Sequence, residues 1–279
     1  MNIPLISESC KSANIISAEL ELKRSGKTSF ICHQLMPHPF HITVPFQYDT
    51  DPSDLITLYM QSSAGGLYDK DFHKFSITLH EGSKLHLTSQ ASTIVHRAKE
   101  MVGAKSFVNL NLTEGTVLEY LPDPIILMAG CKFSSQSKIN LNGDCKAIIA
   151  ESFLAHDPSA SGEMFESLFS ETQIFRNNEQ TIDEKFYVSG NDFFSRIKGF
   201  TCIASFYIYG FKIAVIEKLK AVIKDIPGSY AGFSYFEKSN LIVVKILARE
   251  PNSLLRITES TWAIAREDMT GLVPSKRRK

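Results

Sequence analysis

The sequence lacks the short motifs that mark the commonest catalytic and nucleotide-binding sites. No GxGxxG, GxxxxGK[ST], GxSxG or HExxH pattern occurs in its 279 residues. Their absence argues against a dinucleotide-binding fold, a phosphate loop, an α/β-hydrolase and a zinc protease, since these motifs are their usual signatures. The pair Gly65-Gly66 is not completed by a phosphate-loop lysine and serine, so it predicts a structural turn in preference to a phosphate site.

Cysteines are few, and long apolar runs are missing. The five cysteines form no CxxC pair, which excludes a zinc ribbon and a redox motif and favours a reducing, cytoplasmic setting. The uncharged stretch at residues 199–211, bounded by Lys198 and Lys212, falls short of the roughly 18 apolar residues that a membrane span needs. The first ten residues have neither the basic nor the apolar segment of a secretory signal. We therefore predict a cytoplasmic protein without a membrane-spanning segment.

The sequence has no excess of either charge. Thirty Lys and Arg balance thirty Asp and Glu, so the formal net charge is zero. This balance excludes binding to nucleic acid or to an acidic membrane surface as the main role. The apolar fraction of 43% is typical of a globular chain and argues against disorder. We predict one domain over residues 1–279, with a short flexible basic tail at about 275–279.

One pattern recurs three times in the first 150 residues: an alternating strand, a turn that contains glycine, and a second alternating strand. The turns are Glu81-Gly82-Ser83, Thr113-Glu114-Gly115 and Asn142-Gly143-Asp144. Alternation with a period of two predicts half-buried strands. A unit that repeats about every 30 residues predicts stacked sheets, as in a solenoid or a sandwich. A plain series of hairpins is the alternative, because Asn-Gly is a strong hairpin signal.

The second half of the chain changes to a helical period. Apolar residues recur at positions 213, 216, 219, 223 and 226, and Pro227-Gly228 ends the run, which predicts an amphipathic helix of about four turns. Two aromatic-rich strands are predicted at residues 231–236 and 241–247. A second helix is predicted to start near Ser253, as its cap, and to run past Trp262 to Arg266. The fold class is therefore mostly β, with stacked sheets and two α-helices in the C-terminal half.

One cluster in the sequence has the side chains of a metal site. Cys32, His33, His38 and His41 are soft and borderline ligands that suit zinc, nickel or copper. Neighbouring strand residues point to opposite faces, so Cys32 and His33 cannot both face one ion if they lie in a strand. Surface or structural histidines are therefore the favoured interpretation of this cluster.

Acidic residues within apolar segments form a second group of candidates. Glu119 lies between Leu118 and Tyr120, and Glu151 follows the apolar residues 147–150. A carboxylate in an apolar β region is costly unless it is paired, bound to a cation or in contact with water. For both residues, a functional buried position and an outward solvated position stay equally open.

Five blocks, in one order along the chain, match the pattern of a known family. They are Ser62–Leu67 with Asp71; Leu87–Thr93 up to Arg97; Leu118–Pro122 with residues 125–130; Glu151 with Ser161-Gly162-Glu163 and Phe165; and Leu254-Leu255-Arg256 with Trp262 and Arg266. Together they resemble the urease accessory protein UreD family, also called UreH. Asp69 and Lys70 stand where the family has more glycines, and Tyr120 stands where tryptophan is common, so the chain resembles a divergent member.

The resemblance implies a fold and a role. The implied fold is mostly β, with stacked, helically arranged sheets of β-solenoid type. The implied role is that of a non-enzymatic chaperone, which binds UreF and, through it, the GTPase UreG, with a homodimer of this chain within the complex. The assembly docks on apo-urease and assists nickel insertion into its active site. The resemblance also implies that no cofactor is tightly bound and that nickel is present only transiently.

The family is also thought to have internal passages for the metal. Carboxylates along a passage bind weakly enough to release nickel, in contrast to a tight Cys/His cage. The resemblance implies four candidate nickel-path carboxylates, Asp71, Glu119, Glu151 and Glu163, with the Cys32, His33, His38 and His41 cluster as a weaker candidate. Two other interpretations stay open: a β-solenoid protein-binding module unrelated to urease, and a hydrolase that uses Cys131 or Cys145 with a histidine.

Overall fold

The strands alternate between two sheets along the sequence. The computed structural model describes residues 13–49, 54–157, 162–197, 199–224 and 226–275. One sheet has seven strands: β1 (Asn14–Ser25), β2 (Thr28–Leu35), β5 (Asp71–Leu79), β8 (Ala104–Leu112), β11 (Lys132–Leu141), β13 (Ser167–Arg176) and β14 (Glu179–Ser189). The other has ten: β3 (Phe40–Ile42), β4 (Ile56–Ser62), β6 (Lys84–Ser89), β7 (Ile94–Val95), β9 (Val117–Leu121), β10 (Ile125–Met128), β12 (Lys146–His156), β15 (Cys202–Tyr209), β16 (Ser229–Phe236) and β17 (Leu241–Ala248).

The three predicted glycine turns join strands of different sheets. They connect β5 to β6, β8 to β9 and β11 to β12, so none of them closes a hairpin. Within each sheet the successive strands β5, β8 and β11, and β6, β9 and β12, run parallel. Parallel neighbours need a crossover connection, and here a strand of the opposite sheet supplies it. The stacked, solenoid-like arrangement is thus confirmed, and the hairpin alternative is wrong.

Glycine is required in these turns because of the backbone conformation at the sheet corner. Gly82, Gly115 and Gly143 have φ values of 70°, 68° and 67°, which other residues rarely adopt. The corners stack on one another, since the Gly82 amide donates to the Glu114 carbonyl at 2.9 Å and the Gly115 amide donates to that of Asp144 at 3.1 Å. Asn142-Gly143 is therefore not a reliable sign of a hairpin here, because a solenoid corner needs the same positive φ.

The main core lies between the two sheets. Five aliphatic residues of the seven-stranded sheet stand in register on its inner face and are almost fully buried: Leu20, Ile77, Leu110, Ile139 and Ile174. They pack against inward residues of the other sheet, such as Leu87 and Leu118. Parallel register therefore turns the period-two pattern of each strand into continuous apolar rows.

A second core lies on the outer face of the ten-stranded sheet, under α2 (Val215–Lys224) and α3 (Pro251–Thr270). The two helices confirm the predicted pair, but α3 begins earlier than predicted. Pro251 occupies its first turn after Glu250 at the N-cap, so Ser253 lies inside the helix and is not its cap. The helix ends where Gly271 takes a φ of 77°.

A third helix, α1 (Gly190–Ile197), was not predicted. Its eight residues span just over two turns, which is too short for a helical period to stand out in the sequence. Residues 276–279 of the predicted basic tail lie outside the described residues. In the described part of the chain, no helix combines the length and the apolar character that crossing a membrane requires.

Candidate functional site

A cavity of about 120 Å³ lies between the two sheets. It extends from the side of β3 and β4, at Phe40 and Met60, to β15 at Tyr207. Aromatic and aliphatic side chains form most of its wall, but both sheets also contribute polar residues, such as Ser106 and Ser135 on one and Ser89 and Glu151 on the other. These polar groups distinguish the cavity from the apolar core that fills the rest of the space between the sheets.

A row of polar residues crosses adjacent strands of the seven-stranded sheet. His73 on β5, Ser106 on β8, Ser135 on β11 and Ser170 on β13 are register partners, and the first three line the cavity. With a strand spacing of about 4.8 Å, the row crosses about 14 Å of the sheet. The Ser106 hydroxyl donates to the Ser135 hydroxyl at 3.3 Å, so the two central residues of the row are in direct contact. We call these four residues the polar row.

Glu151 on β12 faces the polar row from the opposite sheet. The Ser135 hydroxyl donates to its Oε1 at 2.5 Å, and the Ser170 hydroxyl donates to its Oε2 at 2.8 Å. Burial raises the pKa of Glu151 above its ordinary value, while these two hydrogen bonds and the charge of Lys245 oppose the rise. Of the two positions left open by the sequence, the structure places Glu151 inward, on the cavity wall.

A charged pair lies beyond Glu151, across the ten-stranded sheet. Glu151 pairs with Ser205 on β15, and Ser205 pairs with Lys245 on β17. The Lys245 ammonium donates to the Ser205 hydroxyl at 2.7 Å and forms an ion pair with Glu184. The Lys245 side chain is 43% exposed, so polar atoms connect the cavity wall at Glu151 to solvent at this edge.

Asp71 lies near the other end of the polar row. It is two residues before His73 on β5 and therefore shares its face of the sheet. Its carboxylate accepts the Tyr68 amide at 2.8 Å and the Asn14 side-chain amide at 3.3 Å. Burial lowers the pKa of His73, and the charge of Asp71 opposes that effect. Asp71 is thus a loop-anchoring carboxylate that also contributes negative charge next to the row.

Glu119 points away from the cavity, towards α3. Its carboxylate accepts hydrogen bonds from His86 Nδ1 at 2.6 Å, from Trp262 Nε1 at 2.9 Å and from Arg266 Nη2 at 2.6 Å. Arg266 Nε is a further donor to it, and Arg266 Nη1 pairs with Asp49. Both Glu119 and Arg266 are almost completely buried. Glu119 therefore fixes the C-terminal helix to the sheet.

The charge of Glu119 is maintained by these donors. Burial alone would raise its pKa, but the hydrogen bonds from His86 and Arg266 and their charges outweigh burial and lower it to about 2. Arg266 was not predicted from the sequence as the partner of Glu119. A signal was present, because Arg266 follows Trp262 by four residues and so lies on the same face of α3.

This ion pair predicts a pH dependence of stability. The pKa of Glu119 is about 2 in the folded chain, below its ordinary value of 4.5. Between these values the unfolded chain binds a proton that the folded chain does not, so the stabilisation is complete above pH 4.5 and is lost as the pH falls towards 2. We expect the difference in unfolding free energy between wild type and Glu119→Gln to shrink over that window, by up to about 3 kcal/mol. Urea unfolding at several pH values measures it, and a constant difference would contradict the prediction.

The remaining candidates lie apart from the cavity. Glu163 is 47% exposed and forms an ion pair with Arg97 on the surface. His38 and His41 are exposed at the edge of the ten-stranded sheet, whereas Cys32 and His33 belong to β2 of the other sheet. The structure therefore does not bring these four Cys and His residues together.

The expectation that Cys32 and His33 face opposite sides of the strand needs correction. Cys32 lies close to the carboxylate of Glu21, and His33 Nε2 lies 3.3 Å from Glu19 Oε2. Glu19 and Glu21 are two residues apart on β1 and so share a face. The pairing of β1 with β2 shifts register between Glu21 and Leu22, and this β-bulge breaks the regular alternation at Cys32.

The two cysteines considered as nucleophiles are in the interior. Cys131 and Cys145 are fully buried, and burial raises the pKa of each thiol to about 12. A nucleophilic cysteine needs the opposite shift, because the thiolate is the reactive form. The environment of these thiols therefore argues against the hydrolase interpretation.

Comparison with known proteins agrees with the residue blocks described above. The family model described as UreD urease accessory protein matches residues 16–279. Urease accessory protein UreD 3 of Bradyrhizobium sp. (strain ORS 278) is 28% identical over 285 residues, an alignment that covers both chains completely. Urease accessory protein UreD 1 of Methylorubrum extorquens (strain PA1) is 29% identical over 273 residues, covering 95% of this chain and 92% of its own. The chain belongs to the UreD family of urease accessory proteins.

Proposed function

We propose that this chain is a non-enzymatic scaffold of urease maturation in the cytoplasm. It binds UreF and, through it, the GTPase UreG, docks on apo-urease as a chaperone, and assists nickel insertion. A homodimer of this chain within the complex is part of the same proposal. The observation that supports it most directly is the family match over residues 16–279. GTP hydrolysis by the partner suits a chain whose sequence has no phosphate loop.

In this proposal the polar row and Glu151 guide the nickel ion while it crosses the chain. Hydroxyl, imidazole and carboxylate groups are suitable ligands for nickel, and hydroxyls bind it weakly enough for the ion to move on. Glu151 offers two carboxylate oxygens on the cavity wall, which Ser135 and Ser170 orient towards the polar row. At the Lys245 edge, the ion pair with Glu184 must open before the ion passes.

The four nickel-path carboxylates differ in how well their surroundings suit this role. Glu151 lines the cavity, and Asp71 shares the face of His73 at the other end of the row. Glu119 is occupied by donors from three side chains, and Glu163 forms a surface ion pair. Nickel passage along all four stays a prediction, with Glu151 and Asp71 as its strongest members.

Co-expression tests the role as a whole. The chain is expressed with UreF, UreG and apo-urease from the same source under limiting nickel, followed by pull-down and a urease assay. We expect stable co-purification, and loss of urease activation when this chain is omitted. A chain that binds none of the three partners and leaves urease activation unchanged would support the alternative, a β-solenoid binding module unrelated to urease.

Glu151→Gln tests the path within that assay. The amide keeps the size of the side chain and can still accept from Ser135 or Ser170, but it removes the negative charge. We expect urease activation to fall about tenfold at limiting nickel. This is the lower end of the roughly 10- to 100-fold loss seen when a group that supports a metal site is removed. The measurement is urease activity per mole of urease in the purified complex.

The matched control is Glu179→Gln, which removes the same charge from an exposed position at the start of β14. This variant should activate urease as the wild type does, and both variants should co-purify with UreF equally well. Normal activation by Glu151→Gln, in a complex of normal composition, would remove Glu151 from the path.

A further inference from the structure

We propose that Glu21, Cys32 and His80 form a surface binding site for one Zn²⁺ ion. The side chains come from three separate segments: β1, β2 and the turn that follows β5. One ligand atom from each residue lies within 4.8 Å of the other two, and His80 Nε2 is 2.8 Å from Glu21 Oε2. Among the described residues, this is the one group of three or more Cys, His, Asp or Glu side chains that converges in this way.

The β-bulge brings Cys32 to this position. Glu21 pairs with His33 and Leu22 pairs with Ile31, so Cys32 is the extra residue between them. Bulges commonly redirect a side chain at functional positions, because the added residue breaks the alternation of the strand. Here the thiol donates to the Glu21 carbonyl at 3.4 Å and remains next to the Glu21 carboxylate.

The set of donors suits Zn²⁺. Thiolate, imidazole and carboxylate are its three usual protein ligands, and three of them with an open fourth position give a site that holds a water molecule. Tetrahedral coordination at ordinary Zn–N, Zn–O and Zn–S lengths separates the ligand atoms by about 3.3–3.6 Å. The 2.8 Å contact between His80 and Glu21 has to open slightly and the Cys32 sulfur has to approach. Both changes need only side-chain rotations at the surface.

The site is distinct from the proposed nickel path. Glu21 lies between Leu20 and Leu22, which point into the core, so its own side chain is on the outer face of the sheet. His80 is seven residues beyond His73, roughly 23 Å further along the strand direction. The bound ion would link the edge strand β2 to β1 and to the β5–β6 turn. The inference does not depend on a role in urease maturation.

Metal titration of the purified chain tests the site. Reduced protein is titrated with Zn²⁺ by calorimetry, and with Co²⁺ by absorption spectroscopy, where a thiolate ligand gives a charge-transfer band. We expect one Zn²⁺ per chain, release of the thiol proton to the buffer, and a Co²⁺–thiolate band. Cys32→Ser should abolish the band and weaken Zn²⁺ binding. Loss of a group that only supports a metal ligand costs roughly 10- to 100-fold in affinity, and loss of a ligand itself should cost at least as much.

Matched variants distinguish this site from other cysteines and histidines. Cys10→Ser and His41→Gln should bind Zn²⁺ as the wild type does, whereas His80→Gln should weaken binding as Cys32→Ser does. Unchanged Zn²⁺ affinity in Cys32→Ser, or a Co²⁺ complex of the wild type without a thiolate band, would overturn the proposal. Neither readout involves urease, so this result and that of the co-expression assay are independent.

Discussion

Arg266→Ala is expected to lower the free energy of unfolding by about 3–5 kcal/mol, the usual cost of removing one partner from a buried ion pair. The Arg266 side chain is 2% exposed and donates to Glu119 and to Asp49. Its removal leaves two buried carboxylates without their shared cation and opens a void beside Trp262. Thermal unfolding should show a fall of roughly 6–10 °C in Tm.

The control lies on the same helix. Arg256 is exposed, so Arg256→Ala removes the same side chain without breaking a buried pair and should change the unfolding free energy by less than about 0.5 kcal/mol. A double-mutant cycle with Glu119→Gln then isolates the coupling between Glu119 and Arg266. If Arg266→Ala were no more destabilising than Arg256→Ala, the buried network would not be what holds α3 to the sheet.

Gly66→Ala is expected to destabilise the chain by about 3 kcal/mol or more, from backbone strain and steric overlap together. Gly66 has a φ of 131°, and a Cβ atom at this position would lie 2.2 Å from the Ile94 carbonyl oxygen. That oxygen accepts the Leu67 amide at 2.7 Å, so the backbone cannot retreat without losing this hydrogen bond. Urea unfolding measures the loss, and low soluble yield would agree with it.

The neighbouring glycine provides the comparison. A Cβ atom at Gly65 would have the Tyr68 hydroxyl, at 3.1 Å, as its close neighbour, and that flexible side chain can move. Gly65→Ala should therefore be tolerated within about 1 kcal/mol. Equal stability of the two variants would show that the close approach of Gly66 to Ile94 does not constrain this loop.

The sequence predicted the regular parts of the fold well, because they depend on local patterns. The period-two strands around the three glycine turns, the strands near 231–236 and 241–247, and the amphipathic helices are all present. From the sequence alone, the turn at Asn142-Gly143 could equally be a hairpin or a connection between the two sheets, because both need a glycine with positive φ. The helix α1 was missed because eight residues contain too little periodic signal.

The candidate site was less predictable, because it depends on register and on distant partners. An acidic residue in an apolar strand indicated that Glu119 and Glu151 were unusual, but only the fold shows that they face opposite sides of the ten-stranded sheet. The polar row arises because His73, Ser106, Ser135 and Ser170 are register partners on four strands. The bulge at Cys32 changes the side of the sheet to which this side chain points, and no local pattern in the sequence predicts the bulge.

The contact between Glu119 and Arg266 also has a consequence for synthesis on the ribosome. The two residues are 147 positions apart, and at about 5–20 residues per second the helix that covers Glu119 emerges roughly 7–30 s after it. During that interval the outer face of the ten-stranded sheet lacks α3, so Leu121 and Ile148 next to Glu119 are without their apolar cover. The nascent chain therefore passes through a stage with an exposed apolar surface, which ends only when α3 docks.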